Sequence, residues 1–288
     1  MKNLLNKFLF VAALLVSQNL YAGGLMVTPS RLEFKDKTES QEVKLINKSN
    51  ETVTYRVTLQ HLRMNEKGEY QEIAENEKAN AKEKFADSLL RFSPRKITLK
   101  PNEVQTIRIA LNKSDNSPNG EYRSHLLFRE EPAADFKQSN NVEATKAKDD
   151  KKISIVLKPL FGISIPIIVN KGDVTATGSI DNLAVKSDDK DKSKKFLSFD
   201  VKRAGDASLF GNFVVKFKQA STGKEFDAGN LNAVAVFYPY PKRNVNVALN
   251  LPKGVSLADG SLTVKYLTKS DDAKEDKKVI AQGMLAVK

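Results

Sequence analysis

Between Ile153 and Val169 every odd-numbered residue is apolar: Ile153, Ile155, Leu157, Pro159, Phe161, Ile163, Ile165, Ile167 and Val169. Period-two patterning sets these side chains on one face of an extended chain. The other face mixes Ser154, Lys158, Gly162 and Ser164 with Val156, Leu160, Pro166 and Ile168. The segment therefore predicts a β-strand well beyond the roughly 5 or 6 residues of a typical one. A strand of this length needs apolar partners along its whole face. Either it is an ordinary strand that ends in a loop and runs on into the next domain, or part of it is offered to a protein that lacks a strand of its own.

The N-terminus places Met1, Lys2, Asn3 and Lys7 ahead of the apolar run Phe8 to Val16, and Leu20-Tyr21-Ala22 leads into Gly23-Gly24. Charge, apolar segment and small-residue cleavage site in that order predict a secretory signal peptide over residues 1–22. The run is shorter than the roughly 20 residues of a membrane-crossing helix, and no later segment reaches that length. With Cys 0 there is neither a lipid-anchoring cysteine nor a disulfide. The core of an exported, periplasmic or secreted protein must here come from packing alone. At roughly 100 to 200 residues per domain, the mature chain predicts two domains.

Lys+Arg 47 against Asp+Glu 35 gives a formal net charge of +12. The cations lie in Lys-rich loops without interleaved aromatic platforms, so the balance reads as solubility and attraction to anionic envelope surfaces rather than nucleic-acid binding.

From Val27 onward, short alternating apolar runs are separated by Gly, Pro, Asn and Asp, and no helical periodicity exceeds about three turns. The chain reads as all-β. Strands are expected near Leu32 to Phe34, Val43 to Leu45, Val53 to Leu59, Ile97 to Leu99, Ile107 to Leu111 and Tyr122 to Phe128, with a hairpin turn at Lys67-Gly68. Together with the long run at Ile153 these make about seven strands, which suits an immunoglobulin-like sandwich. Lys78 to Leu90 carries too thin an apolar stripe for a convincing helix and reads as a decorated loop. Pro132 to Lys152 is polar and charged.

After Gly172, taken as the domain boundary, the pattern restarts with Val174, Ile180 and Leu183 and continues through Phe196 to Val201, Phe213 to Phe217, Ala233 to Phe237, Val245 to Leu249 and Leu262 to Tyr266. It closes at Gln282 to Val287, giving a second sandwich over residues 172–288.

Catalytic signatures are absent. His61 and His125 occupy no metal-ligand spacing and read as structural. There is no nucleophile elbow, phosphate-binding loop or dinucleotide fingerprint. Glu130-Glu131 and Asp271-Asp272 read as solvated charge. Neither an enzyme nor a cofactor or metal is expected.

Three segments in a fixed order carry a resemblance: Thr28-Pro29-Ser30-Arg31-Leu32, then Ser93-Pro94-Arg95-Lys96-Ile97-Thr98-Leu99-Lys100-Pro101-Asn102-Glu103-Val104-Gln105-Thr106-Ile107-Arg108, then Tyr122-Arg123-Ser124-His125-Leu126-Leu127-Phe128-Arg129-Glu130-Glu131-Pro132. Residues 25 to 170 resemble the PapD-like periplasmic chaperones of pilus assembly, and the remainder agrees only in its two-sandwich plan and length. The resemblance implies donor-strand complementation, in which the seventh strand is lent to a pilin subunit. Ile153, Ile155, Leu157, Pro159, Phe161 and Ile163 are then the donor-strand residues, with Ile163, Ile165 and Ile167 also anchoring the strand in the chaperone's own core.

The family further binds the client's C-terminal carboxylate with two basic residues in the interdomain cleft. The first falls on Arg31. The second, a lysine of the seventh strand, falls on Ser164. Lys158 shares its parity but lies well upstream, so Arg31 and Lys158 are the candidate carboxylate residues; for Arg31 a salt bridge at a domain edge is the alternative.

Implied partners are pilin or other fibre subunits and an outer-membrane usher, and an exposed apolar edge also suits a self-capping homodimer. A structural or adhesive envelope protein built from the same sandwiches is the competing reading.

Overall fold

The computed structural model describes residues 24–35, 38–74, 77, 80, 82–112, 115–132, 159–269 and 277–287. The expected signal peptide, the donor-strand residues Ile153, Ile155 and Leu157, and Lys158 lie outside these residues. Among the described residues there is no helix.

The first part of the chain forms β1 (Leu25–Thr28), β2 (Leu32–Phe34), β3 (Ser40–Asn47), β4 (Val53–Gln60), β5 (Leu62–Met64), β6 (Tyr70–Glu72), β7 (Leu90–Ser93), β8 (Lys96–Leu99), β9 (Val104–Leu111), β10 (Gly120–Glu130) and β11 (Gly162–Lys171). A four-stranded sheet in the order β1-β3-β9-β7 faces a five-stranded sheet in the order β2-β11-β10-β4-β8, and β5 and β6 form a separate hairpin. Alternation explains the sandwich. Val43 and Leu45 of β3, Ile107 and Ile109 of β9, Leu126 and Phe128 of β10, and Ile165 and Ile167 of β11 turn inward into one core.

The second part forms β12 (Ala176–Ser187), β13 (Lys195–Gly205), β14 (Leu209–Gln219), β15 (Glu225–Val236), β16 (Lys242–Leu249), β17 (Gly260–Thr268) and β18 (Val279–Val287). Its sheets run β12-β13-β16 and β15-β14-β17-β18. Phe213 stacks on Tyr266 with ring centroids 4.3 Å apart and meets Phe199 edge-on at 5.1 Å. The buried Tyr266 hydroxyl donates to the Val234 carbonyl at 2.7 Å, satisfying the one polar atom that this ring brings inside. The charged stretch 186–195 makes the β12–β13 turn, where the Asp188 carboxylate accepts from the backbone of Lys190 and Asp191.

Both sandwiches expected from the sequence are present, so the all-β, two-sandwich class stands. Three details differ. Residues 25–171 hold more than seven strands, because the N-terminal stretch splits into β1 and β2 on opposite sheets, β7 forms at Leu90–Ser93, and β5 and β6 add a hairpin. Lys78 to Leu90 contributes Ala86 and Leu89 to the core from irregular backbone. The last strand begins at Gly162, and Pro159, Leu160 and Phe161 precede it as exposed, non-strand residues.

A third cluster joins the sandwiches: Met64 of β5, Ile168 of β11, Ala235 of β15 and Phe237, with Phe210 and Tyr240 packed against it. Polar contacts surround it. The Asn244 amide donates to the Glu66 carbonyl at 2.6 Å, Lys242 pairs with Glu66 at 3.0 Å, and the Tyr240 hydroxyl donates to Glu83 at 2.5 Å. The tip of the β5–β6 hairpin is turned by Asn65, whose side-chain oxygen accepts from Lys67 and Glu69, and by Gly68 at φ +83°, where a Cβ would strike the Arg243 guanidinium.

Candidate functional site

β11 has two unlike flanks. On one side it pairs antiparallel with β10 along its whole length, from Gly162 opposite Arg129 to Lys171 opposite Gly120. On the other it pairs in parallel with β2 only from Ile167 to Val169. Residues Gly162 to Pro166 therefore present an edge with no hydrogen-bonded neighbour among the described residues, the arrangement that accepts an added strand. Leu160 and Phe161 lead into this edge with 39% and 47% of their surface exposed. The Phe161 carbonyl still accepts from the Glu130 amide at 2.9 Å, so the ladder with β10 continues past the strand's formal start.

Of the predicted donor residues, Pro159 and Phe161 are thus exposed, whereas Ile163 packs against the domain's own core beside Ile165 and Ile167. The odd-numbered face that reads as uniform in the sequence changes from solvent to core within a few residues.

The opposite face of β11 and β10 looks toward the second domain. β10 reads GEYRSHLLFRE and is buried on both faces. Tyr122, Leu126 and Phe128 turn into the sandwich, and Glu121, Arg123 and His125 turn outward but are covered, with 3%, 7% and 2% exposure. Glu121 accepts from the Ser208 backbone amide at 2.6 Å and from its hydroxyl. Burial raises the Glu121 carboxyl above the ordinary range, with Ser208 acting in the other direction. The Arg123 guanidinium lies 4.2 Å from the Phe237 ring and donates to the Leu62 carbonyl at 3.1 Å. His125 meets Tyr70 and Phe237 edge-on, and neither ring nitrogen has a hydrogen-bond partner. Burial, followed by the charges of Arg123 and Arg31, pushes His125 down to about 3.

Arg203 sets the second domain's side of this interface. Its guanidinium donates to the carbonyls of Gly205, Ala207 and Tyr240, holding the turn that presents Ser208 to Glu121 and Phe210 to Arg31.

Arg31 precedes β2, so the parallel register carries it toward the same interdomain face. Its side chain is 11% exposed and its guanidinium carbon stands 4.3 Å from the Phe210 ring. Nε and Nη1 have no partner, and Nη2 is 3.8 Å from Glu33, beyond hydrogen-bond range. Glu33 is engaged elsewhere, by Lys35 at 2.9 Å and the Asn170 side chain at 3.2 Å. Burial holds the guanidinium below the ordinary arginine range, with Glu33 and then Glu121 acting the other way. Arg31 is thus a covered cation that keeps a long ion pair with Glu33, as the alternative reading expects, and also carries two nitrogens without a hydrogen-bond partner.

Two adjoining cavities of about 550 and 500 Å³ open beside Arg31, and Glu33, Phe210 and Lys269 line both. Ser164 offers no charge, and its hydroxyl accepts from Gln60 at 2.8 Å. Glu121, Arg123, Phe210, Phe237 and Lys269 escaped the sequence reading. The available signal was the run Glu121-x-Arg123-x-His125, which reads as a solvated strand face until a second domain covers it.

Neither a family model nor a curated protein matches the chain. Among solved structures it is similar to the YadV chaperone, with 12% identity over 92% of this chain and 100% of that one and a TM-score of 0.44. It is also similar to the E. coli chaperone DraB, with 11% identity, 92% and 96% coverage and a TM-score of 0.42. The class 5 fimbriae chaperone CfaA gives 14%, 91% and 98%, and 0.41.

Proposed function

We propose that the chain is a periplasmic chaperone that holds pilus or other fibre subunits by lending them the start of β11 and the residues leading into it. One observation carries the reading: among the described residues the edge from Gly162 to Pro166 is paired on a single side, and it is preceded by exposed Leu160 and Phe161. A strand laid along this edge meets backbone groups that no described residue pairs, together with apolar side chains, which is what a fibre protein lacking a strand requires. Each aliphatic or aromatic side chain buried in the process contributes roughly 1.5 to 3 kcal/mol before ordering costs. In this reading residues 23–171 are the domain that holds the client, residues 172–288 form its buttress, and Arg31 receives the client's C-terminal carboxylate.

The test is a tagged pull-down from the periplasm with mass spectrometry, comparing the wild type with a Leu160→Asp, Phe161→Asp double variant whose folding is verified by urea denaturation. Capture of a small β-rich secreted protein by the wild type alone supports the reading. Equal capture by both proteins overturns strand donation at this edge. Self-assembly of the purified wild type with no captured client favours an adhesive or structural envelope protein instead.

A further inference from the structure

The β5–β6 hairpin, with three residues in each strand, leaves the first domain and lies on the second. Its tip is held by Asn244 and Lys242 on Glu66, and by Arg243 beside Met64 and Gly68. Its second strand carries Tyr70, whose ring stands 5.5 Å from that of His125 and 6.3 Å from that of Phe237. A hairpin this short has few bonds of its own, so the contacts beneath it decide whether it stays closed.

His125 is covered in that contact, and neither of its ring nitrogens has a hydrogen-bond partner. Its surroundings favour a neutral ring. Arg123 on its own strand, Arg31 before β2 and His61 after β4 each oppose a further positive charge there. Gln60 of β4 and Pro166 of β11, opposite His125 in register, are neutral. Burial raises the Tyr70 hydroxyl, with Arg123, Arg243 and Arg31 acting the other way, so that ring supplies no anion. The carboxylates of the region are already engaged: Glu121 by Ser208, Asp87 by His61 and Ser124, Glu83 by Arg63 and Tyr240, and Glu66 by Lys242. A proton added to the covered ring places a charge among cations with no acceptor in reach, which is costly.

We propose that the β5–β6 hairpin is an acid-released latch between the two sandwiches, and that His125 is the group whose protonation lifts it. The proton reaches the ring only when Tyr70 and the hairpin move away, so the open form takes it up and the closed form does not. The covered ring titrates at about 3 and an uncovered one at 6.5. The stabilisation of the closed form is complete above 6.5 and is lost as pH falls from there toward 3. Between about pH 7.5 and about pH 5 the opening constant rises about thirtyfold. Opening uncovers Phe237 and frees Met64 from the interdomain cluster, while Ser208 still holds Glu121. The latch does not depend on the chaperone reading.

With Cys 0 in the chain, a single introduced thiol reports on one place. The experiment labels Met64→Cys, a position buried at the hairpin, in the full mature protein with a methanethiosulfonate reagent. Its rate is divided by that of the same variant unfolded in urea at the same pH, which cancels the titration of the thiol itself. Val43→Cys and Ala228→Cys report in the same way on the two cores. From about pH 7.5 to about pH 5 the relative rate at Met64→Cys is expected to rise about tenfold or more, while the core thiols change less than about twofold. Adding His125→Leu, or His125→Met as a second uncharged replacement, reduces the rise to less than about threefold. Urea unfolding verifies that each variant is folded. An equal rise with both uncharged replacements assigns the release to another group, Glu66 first, and overturns the role of His125. The absence of a rise, or a rise of the same size at the core thiols, overturns the latch.

Discussion

The backbone amide of Ser208 in one sandwich donates to the carboxylate of Glu121 in the other at 2.6 Å, and the Ser208 hydroxyl meets the second carboxylate oxygen. A buried carboxylate at a domain junction is tolerable only with such donors, since an unmet charge inside protein is expensive. Ser208→Ala removes one donor and leaves the charge in place. The expected loss is about 1 to 3 kcal/mol, read in calorimetry as a lower and broader transition in which the sandwiches melt less cooperatively.

His125 predicts a pH response. Its folded-state pKa of about 3 lies below the ordinary histidine value of 6.5, so the unfolded chain binds the extra proton first. The stability tied to the neutral ring is present above 6.5 and is lost as pH falls from there toward 3. Glu121 works in the opposite sense, because its raised carboxyl makes protonation easier in the folded state and its contribution falls as pH rises. Comparing the wild type with His125→Leu holds Glu121 constant. Urea unfolding at about pH 7.5 and about pH 5 is expected to show the wild type losing about 2 kcal/mol more than the variant.

Glu83 predicts a separate, more acidic step. Hydrogen bonds from Arg63, followed by those from Tyr240 and the Asn80 amide, hold its carboxyl at about 2 against the opposing effect of burial, compared with the ordinary value of 4.5. Its stabilisation is complete above 4.5 and is lost as pH falls toward 2. Glu83→Gln is expected to be less stable than the wild type at neutral pH and to show a shallower decline in acid-induced unfolding followed by circular dichroism.

Gly68 predicts the importance of the hairpin. A side chain there faces both a positive φ of +83° and the Arg243 guanidinium. Gly68→Val is expected to lift the hairpin from the second domain, at a cost of more than about 1 kcal/mol. Limited proteolysis then cuts residues 65–69 faster than in the wild type, while the cores remain protected.

Much of the architecture was legible because sandwich cores obey a local rule. Val43 and Leu45, Phe213 and Phe217, and Leu262 and Tyr266 announce their strands by alternation, and each falls in the core that alternation predicts. Phe161 and Ile163 mark where that rule stops informing. They share parity and hydrophobicity, yet one is exposed and the other packs inside, because what separates them is where the opposing sheet ends.

The sequence by itself determined the two all-β sandwiches, the alternating strand and Arg31 as a residue of interest, since side-chain period and turn chemistry are encoded within a few neighbouring positions. The tertiary structure alone decided that Glu121, Arg123 and His125 are buried, that Ser208 meets Glu121, and that Lys269 shares a cavity with Arg31. Those pairings join residues far apart in the chain, and they depend on how one sandwich docks against the other, a relationship that no local pattern records.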